Sequence, residues 1–255
     1  SELVCVACVP ERPVACNEKP GKISDMFKAL FKNDQAMTVV VSIILVYTSI
    51  NICGNLVLYF FRFDVGNEGA YSIFAAVAFA AQVLVMMVIP LLRKRFSKSC
   101  LFISGFIIQI VGFAVILIMA FAKLYTPQSW YILCMPGILI YLGYGMLNVI
   151  MTIFLSDSVD YGEVMNGTRE ESVIFSMQTF TVKLASGVAV FLAGLIVDWI
   201  HLDTSATVQT QDTLDALRMW MTIPSVILLI VGIFVFKRFY KLDDARMEEI
   251  KSKLN

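Results

Sequence analysis

Charge is scarce in this chain. Lys, Arg, Asp and Glu make up 16% of its 255 residues, where soluble domains carry about 25%. An excess of either sign is also missing, because 20 basic residues balance 20 acidic ones; bulk electrostatics therefore offer nucleic acid or a polyanionic partner nothing to bind. Histidine is reduced to His201 alone. No long apolar run pairs a serine with a histidine or holds two aspartates at matching depth, which removes the usual signatures of an intramembrane hydrolase. A basic-then-apolar leader is absent as well. The opening Leu3 to Val9 is too short to cross a bilayer and reads as the end of a helix that starts upstream.

The six cysteines do not form a metal or disulfide set. Cys53, Cys100 and Cys134 lie in apolar runs, where a free thiol packs as a small hydrophobe. Cys5 and Cys8 have CxxC spacing but no second pair, and His201 is remote in sequence. No metal and no covalently bound cofactor is expected.

What the chain has instead is apolar residue: 58% of its length, with mean hydropathy +0.78. A water-soluble globular enzyme is thereby excluded. Long apolar stretches run from Ala36 to Phe60, Ala70 to Leu92, Cys100 to Ala122, Trp130 to Leu155, Val173 to Trp199 and Met219 to Tyr240. Each reaches the roughly 20 residues that a membrane crossing requires. The expected fold is an all-α membrane protein with six transmembrane helices. It divides into 1–35, the end of a preceding helix plus a loop; 36–240, the six-helix bundle; and 241–255, a tail.

Lys and Arg set the orientation. Arg12, Lys19, Lys22, Lys28 and Lys32 precede the first span; Arg93, Lys94, Arg95 and Lys98 follow the second; Arg169 follows the fourth; Lys237, Arg238, Lys241, Arg246, Lys251 and Lys253 follow the sixth. The opposite connections hold only Arg62, Lys123 and Arg218. Both termini are expected in the cytoplasm, with the protein in the plasma (inner) membrane. Ile23, Met26, Phe27, Leu30 and Phe31 recur at helical spacing with Lys28 and Lys32 between them, an amphipathic helix suited to the inner leaflet.

A charge deep inside a span costs at least about 2.5–3.5 kcal/mol on insertion scales, so it marks function. Lys183, ten residues into the fifth span, is such a charge. Ser176, Thr179, Ser186 and Gly187 share its stripe, with Gln178 beside it. The other spans offer no carboxylate at that depth, so a partner for Lys183 must come from another segment. The fourth span carries Tyr141, Tyr144, Asn148 and Thr152; the first carries Thr48, Asn51, Asn55 and Tyr59. Rings stack on sugar faces while amides and hydroxyls bond sugar OH groups, so these stripes suit a polyhydroxylated ligand. Interhelical hydrogen bonds are the plainer reading of either stripe alone. The stretch from Ser156 to Ser172 is read as an acidic loop, either a solvated turn or a gate of exchanging ion pairs.

Ser156-Asp157-Ser158-Val159-Asp160-Tyr161-Gly162-Glu163, then Gly167-Thr168-Arg169, then Gln178-Thr179 and Lys183, resembles the signature joining helices ten and eleven of the glycoside-pentoside-hexuronide:cation symporters. That resemblance implies the second half of a twelve-helix major facilitator transporter, working by alternating access around a central sugar. It implies sugar contacts at Gln178, Thr179 and Val182, cation coupling by Na+ or H+ at Lys183, and a cytoplasmic gate at Asp157, Asp160, Tyr161, Glu163 and Arg169. Asn148 stands where the family's melibiose-carrying member has tryptophan, so the sugar is expected to differ. The implied partners are an N-terminal six-helix half, a sugar and the lipid bilayer. The competing expectation is a self-contained six-span protein with a structural or assembly role.

Overall fold

The computed structural model describes residues 33–166, 171–206, 208–242 and 244–254. Expectations resting on Cys5, Cys8, the amphipathic segment from Ile23 to Phe31, Gly167, Thr168, Arg169 or Glu170 lie outside the described residues.

Regular structure among the described residues is helical throughout. The elements are α1 (Asp34–Tyr59), α2 (Ala70–Leu92), α3 (Lys98–Phe121), α4 (Cys134–Asn166), α5 (Glu171–Trp199), α6 (Gln211–Phe239) and a short α7 (Asp244–Leu254). A π-helical turn, Phe60–Val65, prolongs α1, and a 3-10 turn, Trp130–Leu133, leads into α4. Six of these helices are long and apolar enough to cross a membrane. Helices suit that setting because each satisfies its backbone hydrogen bonds internally. Large exposed side chains such as Phe79, Leu84, Met87, Phe191, Phe234 and Ile230 cover the outside of the bundle, as lipid contact requires.

Sequence reading located the spans but misjudged three ends. The first continues past Phe60 to Val65. The acidic stretch after Leu155 is not a loop, since α4 remains helical through Asn166; Ser156 to Glu163 keeps helical hydrogen bonding after its apolarity has run out. The sixth helix begins at Gln211, capped by the Thr210 hydroxyl accepting from Thr213 N at 3.3 Å, so Arg218 sits within a helix instead of a loop. The 241–255 tail contains α7, whose Met247 and Ile250 join Leu242 in packing against Tyr161 and Tyr240.

α1 is the central post. It packs against α4, α5 and α6, while α3 packs on α4 and α6, and α2 on α4. Accordingly 67% of its most apolar stretch is buried, against 28% for α2 and for α5. Its first turn is pinned from two sides. Asn33 caps α1 by accepting from Ala36 N at 3.0 Å and donates to Ser158 O on α4 at 2.7 Å. Gln35 accepts from Lys241 N at 2.8 Å. Gly162 of the acidic motif has a packing reason: a Cβ there would lie 2.8 Å from Asn33 Nδ2. Halfway along, Ser49 and Ser225 donate to each other's carbonyls at 3.2 and 2.9 Å, a close α1–α6 crossing of the kind small hydroxylated residues permit.

The tightest crossing is α3 on α4. A Cβ on Gly143 would lie 2.6 Å from Gly105 O and 2.7 Å from Gln109 N, both unyielding backbone atoms. Gly143→Val should therefore force the two helices apart and cost about 1–3 kcal/mol. Gly187→Ala on α5, with nothing within 4 Å of the added Cβ, should leave stability unchanged or slightly raised. Thermal unfolding in detergent compares the two; equal melting temperatures for Gly143→Val and the parent would refute the crossing.

Candidate functional site

Of the polar side chains singled out in sequence, Tyr144, Asn148, Thr152 and Gln178 come together with Tyr47 on a partly open face where α1, α4 and α5 meet. Asn148 Nδ2 donates to the Tyr47 hydroxyl at 2.7 Å, and the Tyr47 and Tyr144 rings meet edge to face with centroids 5.6 Å apart. Tyr141 continues the row, 6.4 Å from Tyr144. Gln178 Nε2 reaches Thr152 Oγ1 at 3.4 Å, which joins α5 to the same face. Tyr144, Asn148, Gln178 and Val182 are all half-buried. Tyr47 was missed in sequence, because a tyrosine within Ile44-Leu45-Val46-Tyr47 reads as one more apolar residue.

The first-span stripe is reorganised. Asn51 and Asn55 donate to the carbonyls of Tyr47 and Asn51, each at 2.7 Å, and so turn back along their own helix. Thr48 is buried with no hydrogen-bond partner for its hydroxyl. Tyr47 is thus the α1 residue that meets α4 across the site.

Lys183 and Thr179 are exposed on α5, on the flank away from the buried ridge of Thr181, Ala185 and Ala189. Gln178, read in sequence as lying beside the Lys183 stripe, faces α4 through its contact with Thr152. Depth relates them. α4 and α5 are consecutive crossings that run in opposite directions. From the Gln178–Thr152 contact, Asn148 lies four residues back along α4 and Lys183 five residues ahead along α5. At about 1.5 Å per residue these are about 6 and 7.5 Å in the same direction, so Lys183 and Asn148 share a level. Among the described residues Lys183 has no ion pair or hydrogen bond.

The motif residues on the last turns of α4 have fixed surroundings. Asp157 forms a buried ion pair with Lys98 of α3, their side chains 7% and 6% exposed. Lys98 Nζ also lies 3.4 Å from Asp244 Oδ1 of α7, and Arg93 Nη1 lies 3.9 Å from the same oxygen. Asp160, Tyr161 and Glu163 follow on α4, half-buried.

The opposite end carries a second buried charge cluster that sequence reading did not find. Arg218 of α6 clamps Asp64 of the π-turn with Nε to Oδ2 at 2.7 Å and Nη2 to Oδ1 at 2.6 Å, the paired geometry that makes guanidinium–carboxylate contacts strong. The side chains are 2% and 4% exposed. Asp215 accepts from Arg218 Nη1 at 2.7 Å, and the Tyr125 hydroxyl donates to Asp64 Oδ2 at 2.7 Å. Burial, and then the Asp64 carboxylate, push the Tyr125 phenol well above its ordinary pKa, so it stays a donor. Asp64 and Arg218 lie at opposite edges of the chain's apolar runs, where a charge reads as loop.

The family described as MFS/sugar transport protein matches residues 5–244. The chain belongs to that family. It is a multi-pass membrane protein, and its family and relatives are transporters, not enzymes. It is 25% identical to an uncharacterized symporter, YjmB, of Bacillus subtilis (strain 168), over 99% of this chain and 54% of that protein. It is 24% identical to a raffinose carrier protein of Pediococcus pentosaceus, over 91% of this chain and 35% of the carrier. An isoprimeverose transporter of Lactiplantibacillus pentosus is 25% identical over 89% of this chain and 46% of its own length. The chain spans about half the length, or less, of these curated relatives.

The charge cluster at the Asp64 end yields a test of its own. Arg218→Met leaves a buried carboxylate without its counter-ion and should cost about 3–5 kcal/mol. Adding Asp64→Leu to that variant should recover most of the loss, because removing both charges removes the desolvation penalty too. Detergent unfolding of parent, single and double variants closes the cycle; purely additive losses would rule out the pairing.

Proposed function

We propose that this chain is the carboxy-terminal half of a sugar:cation symporter that works by alternating access. The observation that carries the reading is the pairing of an unpartnered Lys183 with the Tyr47, Tyr144 and Asn148 cluster at one depth of the membrane. A lysine at that depth requires a carboxylate or a water-filled path. Tyrosine rings beside amides suit a sugar's mixed apolar and hydroxylated faces. The relatives' names, raffinose carrier and isoprimeverose transporter, support a glycoside, pentoside or hexuronide as substrate.

In this mechanism a six-helix N-terminal half closes over the polar face and supplies the acidic residues opposite Lys183. The sugar sits between the halves, against Tyr144, Asn148, Gln178, Thr179 and Val182. Na+ or H+ neutralises the opposing carboxylates, changes the charge balance around Lys183 and favours the closed state. The basic connections support a plasma-membrane protein with both termini in the cytoplasm. Asp160, Tyr161, Glu163 and Arg169 then form the inner gate, with Asp157 holding the end of α4 to Lys98 beneath it. A self-contained structural bundle is disfavoured, since it would pair its deep polar groups within itself.

Uptake by membrane vesicles containing the whole transporter that carries this chain tests the reading. Lys183→Gln should lower ion-driven sugar accumulation about tenfold or more, the scale of a site-to-site coupling, while sugar exchange without an ion gradient persists. Unchanged dependence on the ion gradient would overturn the role of Lys183.

A further inference from the structure

The contact between Tyr47 and Asn148 has a direction. The Asn148 amide nitrogen donates to the Tyr47 hydroxyl at 2.7 Å, and the Tyr144 ring packs edge to face on Tyr47. A phenol oxygen therefore occupies the NH2 end of the amide. Its other end, Oδ1, makes no hydrogen bond among the described residues and lies on the partly open face. An amide has donors at one end and an acceptor at the other. Whichever end the protein engages determines which end a ligand meets.

Tyr47 is itself held. Its ring packs edge to face on Tyr144, and its carbonyl accepts from Asn51 Nδ2 at 2.7 Å, on the central helix of the bundle. The phenol thus comes from the most buried element, and Asn148 turns to meet it.

Resting on the sugar-site reading above, we propose that Tyr47 is a specificity-determining positioning residue: by engaging the Asn148 NH2 group it fixes Oδ1 as the ligand-facing atom, so the site selects a sugar hydroxyl that donates at this point. The ligand class follows from that polarity. A sugar with a free hydroxyl there binds; one in which that hydroxyl is replaced by fluorine, which cannot donate, leaves the amide oxygen desolvated and unmatched.

Kinetics of the intact transporter with the transported sugar and its set of monodeoxyfluoro analogues test this. The parent protein should discriminate against one analogue of the set by about three- to tenfold in KM, the worth of one hydrogen bond. Tyr47→Phe keeps the ring and removes only the hydroxyl; it frees the amide to turn its NH2 toward the ligand. That variant should bring the discrimination against this analogue close to one, a change in substrate preference that a general loss of packing does not produce. Asn148→Ala should also abolish the discrimination, and adding Tyr47→Phe to it should change nothing further. Tyr144→Phe, which spares the Tyr47–Asn148 bond, should retain it.

Two results separate the failures. If Tyr47→Phe weakens the sugar and the fluoro analogue equally, or acts additively with Asn148→Ala, the positioning role is overturned while the sugar site stands. If Asn148→Ala changes the KM of neither the sugar nor any analogue, the sugar-site reading itself is overturned, and this inference with it.

Discussion

Enclosure of α1 by three neighbours is the constraint on which the rest of the bundle depends. A helix surrounded on three sides cannot place long polar side chains freely; its polar groups must find partners in adjoining helices or along its own backbone. Its polar positions show these outcomes, with Thr48 the exception. Asn33, Gln35 and Ser49 bind α4, the segment before α7 and α6; Asn51 and Asn55 fold back on α1; Tyr47 reaches α4. The partly open face common to α1, α4 and α5 is what remains when those demands have been met.

Aromatic side chains complete the frame at both ends. Phe102, Phe154, Phe236 and Tyr240 form one continuous cluster of tilted, stacked and edge-on rings between α3, α4 and α6. Phe60, Phe61, Phe74 and Tyr125 form another near the π-turn. Each cluster lies beside one of the buried ion pairs. All these contacts, including Lys98–Asp157 and Asp64–Arg218, are internal to the chain, and they fasten α3, α4 and α6 at one end and α1, α2 and α6 at the other. That construction suits movement of these helices as a unit, as the proposed mechanism asks of them.

Hydropathy made the spans legible because lipid selects for unbroken apolarity, and the rarity of a deep charge made Lys183 stand out. The same signal hid what lay at the edges. Asp64, Arg218 and the acidic turns of α4 are charged, and a charge beside an apolar run reads as the start of a loop whether or not a partner waits for it in space. Asp157 was noticed as part of a motif, but its counter-ion Lys98 is 59 residues away in sequence and could be assigned only once α3 and α4 were packed together. Tyr47 was hidden for the opposite reason: it carries no charge, and its hydroxyl gains meaning only beside Asn148.

The π-turn at Phe60–Val65 adds an evolutionary dimension. Such a turn holds more residues than an α-turn, and each residue removed from a helix rotates everything beyond it by about 100°. Deleting one residue within the turn would swing Asp64 away from Arg218 without altering either side chain. The buried pair at this end is therefore as sensitive to chain length as to side-chain identity, and related chains can gain or lose it through a single codon insertion or deletion while every substitution-based comparison shows both charges intact.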